Sequence, residues 1–471
     1  MHPLFLFVMK FHYKEDTITA LSTPFGEGGI AIIRISGNSA VEIAEKLYSP
    51  TGSIKKFEHF RIHYGHVVNP FTGQFIDEAL FLVMKAPHSY TREDVVEIQC
   101  HGGMIPVRKI TDILNSLGIR NALPGEFTKR AFLNGRIDLL QAEAVMDIIT
   151  AKTETGFEIA EKQLSGKFSF ELTEFKDLIL DLIAKIEAPL DYPEEELYTI
   201  DKTDIRLSVD NLLVTAKKMK SLCEGGKIYR DGVKISIIGK PNVGKSSLLN
   251  MLLGEKRAIV TEYAGTTRDM IEESCVIGSV PISLCDTAGI HDASDFVEKL
   301  GVEKTKESIA RADFIIVVFD VSSEFTNEDQ TVLDLVTEQE KSFIMVFNKS
   351  DLPIKYDYKE VARKHNTDFV LLSAVSLVGR EDFNQILLNN IKTVFRVDSQ
   401  NFFLVSQRHR DSLTQIVEYL SQTLETLDMD FPLDMLTVNL RDVLAVISDL
   451  CGESFDEAVL DRIFNEFCIG K

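Results

Sequence analysis

The stretch Gly239-Lys240-Pro241-Asn242-Val243-Gly244-Lys245-Ser246 decides how this chain is read. The apolar run Lys234-Ile235-Ser236-Ile237-Ile238 leads into it, and Ser247-Leu248-Leu249-Asn250-Met251-Leu252-Leu253 follows with a helical pattern. Strand, glycine loop and helix with the spacing GxxxxGK[ST] form the arrangement that cradles nucleotide phosphates. The glycines let backbone N–H groups turn inward around phosphate oxygens, and the helix N-terminus adds its positive end. In such a loop Lys245 reaches the β and γ phosphates and the Ser246 hydroxyl sits on Mg²⁺. An ordinary glycine-rich turn is the bland alternative, and the flanking strand and helix argue against it.

Four more elements follow in order. Gly265-Thr266-Thr267-Arg268-Asp269 offers a switch threonine for Mg²⁺, placed at Thr267. Asp286-Thr287-Ala288-Gly289 ends an apolar strand, where the carboxylate holds Mg²⁺ through water and the glycine N–H senses the γ-phosphate. Asn348-Lys349-Ser350-Asp351 also ends an apolar strand, and its Asp can accept both N1–H and N2–H₂ of guanine. Adenine offers neither donor, so it would leave that carboxylate unpaired. Ser373-Ala374-Val375 ends the next strand and is similar to a guanine-O6 loop. Each element is weak alone, and the set in this order reads as a GTP site. The residue after Gly289 is Ile290, which cannot polarise water as the Gln of Ras-like enzymes does. Asn242 can help hold a monovalent cation beside the phosphates, where it would neutralise developing charge.

The chain of 471 residues is long enough for about three domains. At 45% hydrophobic and 26% charged it has ample core material for a soluble globular protein. Its net charge of -21 opposes nucleic acid, so RNA contact needs a local basic patch or a partner. Six cysteines without a CxxC pair fit a reducing cytoplasm. The apolar Leu4–Met9 is too short to span a membrane. It reads as a membrane-facing tail or as residues upstream of a start at Met9.

Residues 16 to about 134 read as an α+β domain, after an extension over 1–15. Its strands are Thr17–Leu21, Ile30–Ile35, Glu78–Met84 and Val95–Cys100. Arg34 inside an apolar strand either snorkels to the surface or meets an anion. His101, before Gly102-Gly103, reads as structural. Residues 135–228 take a helical pattern up to Ile186, broken by Pro189 and Pro193 and resumed over Ile205–Leu222 until Gly225-Gly226. Strands then alternate with helices over 229–396, at Ile282–Cys285, Phe314–Phe319, Ser342–Phe347 and Phe369–Leu372, as in a doubly wound sheet. Helical patterns return over 397–471, from Phe402 to Leu427, Leu436 to Leu450 and Phe455 to Phe467. The fold expected is multidomain, α/β and α+β, with a Ras-like G domain inserted into a helical domain.

The loop Gly239–Ser246 with Ala264-Gly265-Thr266-Thr267-Arg268-Asp269 resembles GTPases with K⁺-assisted hydrolysis. Gly28–Gly37, His101-Gly102-Gly103, Pro124-Gly125-Glu126-Phe127 and the ending Phe467-Cys468-Ile469-Gly470-Lys471 narrow the resemblance to the MnmE (TrmE) family of tRNA-modification GTPases. The similarity runs from Asp16 to Lys471. It implies a cytoplasmic homodimer that works with an MnmG-type flavoprotein, which carries the FAD, in a heterotetramer. The implied reaction installs an aminomethyl or carboxymethylaminomethyl type group on C5 of the wobble uridine of certain tRNAs, bound mainly with that partner.

The family further implies a tetrahydrofolate one-carbon donor, in its 5,10-methylene or 5-formyl form, at Arg34, Glu97, Arg136 and Lys471. Arg136 stands where many relatives carry Lys, which keeps the charge and changes the hydrogen-bond geometry. A K⁺ site maps to Asn242, Thr261, Tyr263 and Thr266, with Glu262 and Ala264 in the same GTP-binding loop. Glu298 matches the residue that orients the attacking water; its bland reading is a solvated residue on the Asp295–Ala310 helix. Cys468 becomes a candidate catalytic thiol on a short mobile tail that reaches Arg34 and Arg136 across the dimer, with a frayed inert end as the plain alternative. An Era-type ribosome-assembly GTPase and a GTP-gated assembly switch are the competing readings, and neither explains the folate-like N-terminal half.

Overall fold

A computed structural model describes residues 16–51, 56–191, 201–254, 273–285, 306–395, 403, 406–429, 431–454 and 457–471. The chain divides into two compact units, 1–143 together with 451–471, and 144–450.

The first unit is built on β1 (Ile18–Leu21), β2 (Gly28–Ser36), α1 (Ala40–Leu47), β3 (Tyr48–Pro50), β4 (Ile62–Val68), β5 (Phe75–Met84), β6 (Val95–Gly102), α2 (Met104–Ser116), β7 (Arg120–Asn121) and α3 (Glu126–Leu133). The seven strands lie in the order β3-β4-β5-β6-β2-β1-β7, antiparallel except for β1 with β7. From Asp77 to Met84, burial along β5 alternates residue by residue, as a strand covered on one face requires. Its inward residues Phe81 and Val83 meet Ile33, Ile98, Ile43, Leu47, Ile110 and Leu114 in one core. Each such side chain, fully buried, contributes about 1.5–3 kcal/mol.

The other face carries two register rows that run across four strands. Ile62 faces Leu82, Leu82 faces Glu97, and Glu97 faces Arg34; beside them Tyr64, Leu80, Gln99 and Ile32 form a second row. Ile62 and Tyr64 are exposed there, so the face is apolar at one end and charged in the middle. The β4 strand and helices α1 and α2 were not expected from the sequence.

The second unit begins within α4 (Leu139–Thr150), continues through α5 (Glu154–Leu164), α6 (Lys167–Asp191) and α7 (Lys202–Arg230), and enters the sheet at β8 (Val233–Ile238). Two expected breaks are corrected. Helix α6 passes Pro189 to Asp191, and α7 runs straight through Gly225-Gly226. Both glycines are buried, and the helix stops instead at Gly232, whose φ of 75° ends it in the left-handed conformation. A Cβ at Gly232 would also lie 2.9 Å from the Pro281 carbonyl oxygen.

After β8 come α8 (Lys245–Leu253), β9 (Glu273–Ile277), β10 (Val280–Cys285), β11 (Phe314–Asp320), α9 (Asn327–Glu338), β12 (Phe343–Asn348), α10 (Tyr358–Lys364), β13 (Phe369–Leu371) and α11 (Arg380–Val394). Their order is β13-β12-β11-β8-β10-β9, parallel except for β9 with β10. Strand β11 is buried from Phe314 to Phe319 because helices cover both faces, which explains its unbroken apolar run. Strand β8 lies where the order reverses, and in such sheets ligands bind beyond the strand ends at that point.

Helices α12 (Gln407–Asp428) and α13 (Leu433–Cys451) close the unit, with α12 packed along α7 and tied to it by the Arg206–Asp428 ion pair. Helix α12 begins at Gln407, where Ser406 and His409 form its capping box, and the expected start at Phe402 lies outside the described residues. Helix α14 (Glu457–Asn465) then belongs to the first unit.

Candidate functional site

The phosphate loop joins β8 to α8 and is braced from three sides. Gly239 touches β11 so closely that a Cβ there would lie 2.4 Å from the Val318 oxygen. Lys240 forms a 2.7 Å ion pair with Asp329, the buried carboxylate that also caps α9 through Thr326. Lys349 Nζ donates to the Asn242 carbonyl at 2.8 Å and to Asp320 at 2.6 Å. Asn242 itself has a φ of 63°.

Asn348 joins three of the sequence elements. Its Nδ2 donates to the Val243 carbonyl at 2.9 Å, and its Oδ1 accepts from the Ala374 N–H at 3.0 Å. Gly244 has a φ of 98°, and a Cβ on it would lie 2.1 Å from Asn348 Nδ2. Only glycine fits there. Ser350 N–H donates to Leu372 O, and the buried Ser373 hydroxyl accepts from Ser376 N–H, which shapes the third loop. Asp351 and Val375 are exposed beyond these braces.

Lys245 Nζ donates to the Gly239 and Lys240 carbonyls at 2.9 Å, and burial pushes its pKa below the usual lysine value. A half-buried ammonium held by carbonyls suits a polyanion, since phosphate oxygens favour its charged form. Ser246 and Ser247, half-buried in the first turn of α8, stand beside it. Thr261, Glu262, Tyr263, Ala264, Gly265, Thr266, Thr267, Asp286, Thr287, Ala288, Gly289 and Glu298 lie outside the described residues.

In the first unit Arg34 and Glu97 pair across β2 and β6, with Nε and Nη2 within 3.0 and 2.9 Å of one carboxylate oxygen. Arg34 therefore meets a carboxylate on the sheet's outer face. Its guanidinium also lies 5.5 Å from the ring centroids of Tyr90 and Phe127, and Arg136 lies 4.6 Å from Tyr90 on the same ring. Arg136 borders a cleft of about 470 Å³ with Tyr90, Arg92, His88, Pro87 and Phe60.

The expected mobile tail is anchored, and within one chain. Arg34 Nη1 and Ser22 Oγ both donate to the Gly470 carbonyl, Gly125 N–H donates to Cys468 O, and Phe127 N–H donates to Lys471 O. Gly470, at φ 93°, could carry no side chain, since a Cβ would lie 2.2 Å from Leu21 O. Burial, and then Arg34, lower the Lys471 pKa. Lys471 and Arg34 meet here without a second copy.

Sequence reasoning missed what holds that dock. Glu126 accepts from Arg120, Arg130 and Leu123 N–H, while fully buried Arg130 also reaches Asp16 and Glu93. Burial pushes the Glu93 carboxyl up to about 7. The Pro124-Gly125-Glu126-Phe127 motif was the available signal. Gly125, at φ 64°, accepts the close approach of α14, and Glu126 ties α3 down. His101 lies at the end of β6 beside Asp77. Its Nδ1 lies 2.7 Å from Asp77, which raises its pKa and satisfies that buried carboxylate.

Residues 17–136 match the family model described as the GTP-binding protein TrmE N-terminus, and 139–468 match the MnmE helical domain. The tRNA modification GTPase MnmE of Thermoanaerobacter pseudethanolicus is 44% identical over 462 residues, covering 97% of this chain and 99% of that protein. The chain belongs to the MnmE family of tRNA modification GTPases. The proteins of that name from Clostridioides difficile and Desulforamulus reducens are 42% and 40% identical, and each match covers at least 97% of this chain and all of the relative. Membership of the MnmE family makes the chain a GTP hydrolase acting in tRNA modification. None of the described helices is long and apolar enough to cross a membrane.

Proposed function

We propose that the chain couples K⁺-assisted GTP hydrolysis to folate-dependent modification of C5 of the wobble uridine, at tRNA position 34. The observation that carries the reading is the Arg34–Glu97 pair with the Cys468–Lys471 tail docked against it. A folate has anionic carboxylates and a pterin that donates N–H groups. Guanidinium, carboxylate and the neighbouring Arg136 are suitable partners for those groups.

In this reading residues 16–134 bind the folate and dimerise, 135–228 and 397–471 form the helical domain, and 229–396 form the G domain. The outer sheet face joins two copies, since it sets exposed Ile62 and Tyr64 in register with Leu82 and Leu80 beside Glu97. An MnmG-type flavoprotein brings the FAD and completes a heterotetramer in the cytoplasm. With -21 net charge on this chain, that partner supplies most of the basic surface for tRNA.

At the G site the loop N–H groups and Lys245 hold the phosphates, Ser246 and Thr267 hold Mg²⁺, and Asp351 reads guanine. Asn242, Thr261, Tyr263 and Thr266 hold K⁺. The two cations, when bound, neutralise charge on the transferring phosphoryl group. Glu298 orients the attacking water in place of the missing Gln. A tetrahydrofolate, in its 5,10-methylene or 5-formyl form, supplies the one-carbon unit.

Cys468 is the thiol of the modification step. Purified Cys468→Ser should lose wobble-uridine modification with the flavoprotein partner while hydrolysing GTP at close to the wild-type rate. Normal modification removes the thiol from the mechanism, and lost hydrolysis means that the tail acts through folding.

A further inference from the structure

Resting on the folate reading above, we propose that Arg92 extends the Arg136 cleft into a subsite for the γ-linked glutamates of a polyglutamylated folate. The cleft of about 470 Å³ is lined by Arg92, Arg136 and His88 together with Tyr90, Phe60 and Pro87. Tyr90 borders both this cleft and the Arg34–Glu97 pair, its ring centroid lying 4.6 Å from the Arg136 guanidinium and 5.5 Å from that of Arg34.

Both cleft arginines are committed to backbone rather than to acids. Arg136 Nη1 donates to Tyr90 O at 3.1 Å, and Arg92 Nη1 donates to Asn134 O at 3.0 Å. Among the described residues neither guanidinium meets a carboxylate. The adjacent carboxylates are engaged elsewhere: Glu93 with Arg130 and Ser36, and Asp94 with the Ala86 N–H.

Backbone conformation adds an independent sign. Arg92 has a φ of 59°, in the left-handed region that residues other than glycine, asparagine and aspartate seldom occupy. Such conformations cluster where surrounding structure holds a side chain for a purpose. Here the held side chain is a guanidinium at the lip of a cleft. Each added γ-glutamate brings one more carboxylate, and guanidinium–carboxylate bonds are among the stronger charge-assisted pairs. His88 adds a further ring nitrogen to the same lip.

Arg92→Asn is the informative variant, since asparagine accepts the left-handed backbone and removes the charge. Binding of 5-formyltetrahydrofolate as its mono- and triglutamate forms is measured by calorimetry on the full chain, with GTP hydrolysis as the control for folding. The wild-type chain should bind the triglutamate at least about tenfold more tightly, as one added charge-assisted bond allows. In Arg92→Asn that preference should fall below about threefold with monoglutamate affinity unchanged. Equal wild-type affinity for the two forms, or a preference that survives in the variant, overturns the subsite and leaves the folate reading standing. Loss of tRNA affinity in Arg92→Asn with the tail preference intact would make the cleft a phosphate contact and overturn it as well. Binding of neither form overturns the folate reading itself, and the subsite with it.

Discussion

Asn348 shows what a single residue does in this G site that a motif cannot say. The guanine-recognition element is read for its Asp351, yet Asn348 spends its amide on Val243 O and Ala374 N–H and so fixes three loops together. Lys349 fixes Asn242 in turn, through its carbonyl. The identities of these residues were legible in the sequence; their mutual bonds were not, because two of the three join positions more than a hundred residues apart. The brace on Asn242 matters for the proposed K⁺ site. Hydrolysis should be fast in K⁺ and slow in Na⁺, because the smaller ion fits a loop sized for K⁺ poorly, and Asn242→Ala should remove the difference. Equal rates of wild-type GTP turnover in the two salts would contradict this assignment.

At the scale of elements, the alternation of β5 and the unbroken apolar run of β11 were both visible as strands. The breaks were harder to read. Gly225-Gly226 has the look of a helix stop, but both glycines keep the helical conformation, and the left-handed turn that ends α7 comes at Gly232. Gly232→Ala should therefore destabilise the protein by about 1 kcal/mol or more, through its positive φ and the contact with Pro281 O. A urea titration should show the midpoint shifted down with an unchanged slope; an unshifted midpoint would mean that α7 is stopped by something else. The tail tells the same story. Cys468-Ile469-Gly470-Lys471 lies near the chain end and reads as loose, while its anchors at Ser22, Arg34, Gly125 and Phe127 come from the other end of the sequence.

Over the whole molecule, the sequence carried the order of the nucleotide elements and the family resemblance, and the structure adds how the N-terminal strands and the final helix share one unit. What no pattern could supply was the register that places Arg34, Glu97, Leu82 and Ile62 in one row across four strands. That row is the basis for assigning the outer face to a homodimer. Ile62→Glu would put a charge into the apolar part of such an interface, so sedimentation should show monomers with GTP hydrolysis retained; an unaffected dimer would move the interface elsewhere. The account as a whole stands on one reaction, performed on the wobble uridine of tRNA. Its most direct test is nucleoside analysis of tRNA from cells in which this chain has been deleted and then restored. The predicted result is loss of the C5-modified wobble uridine on deletion and its return on restoration, whereas wobble uridines unchanged by the deletion would contradict the account.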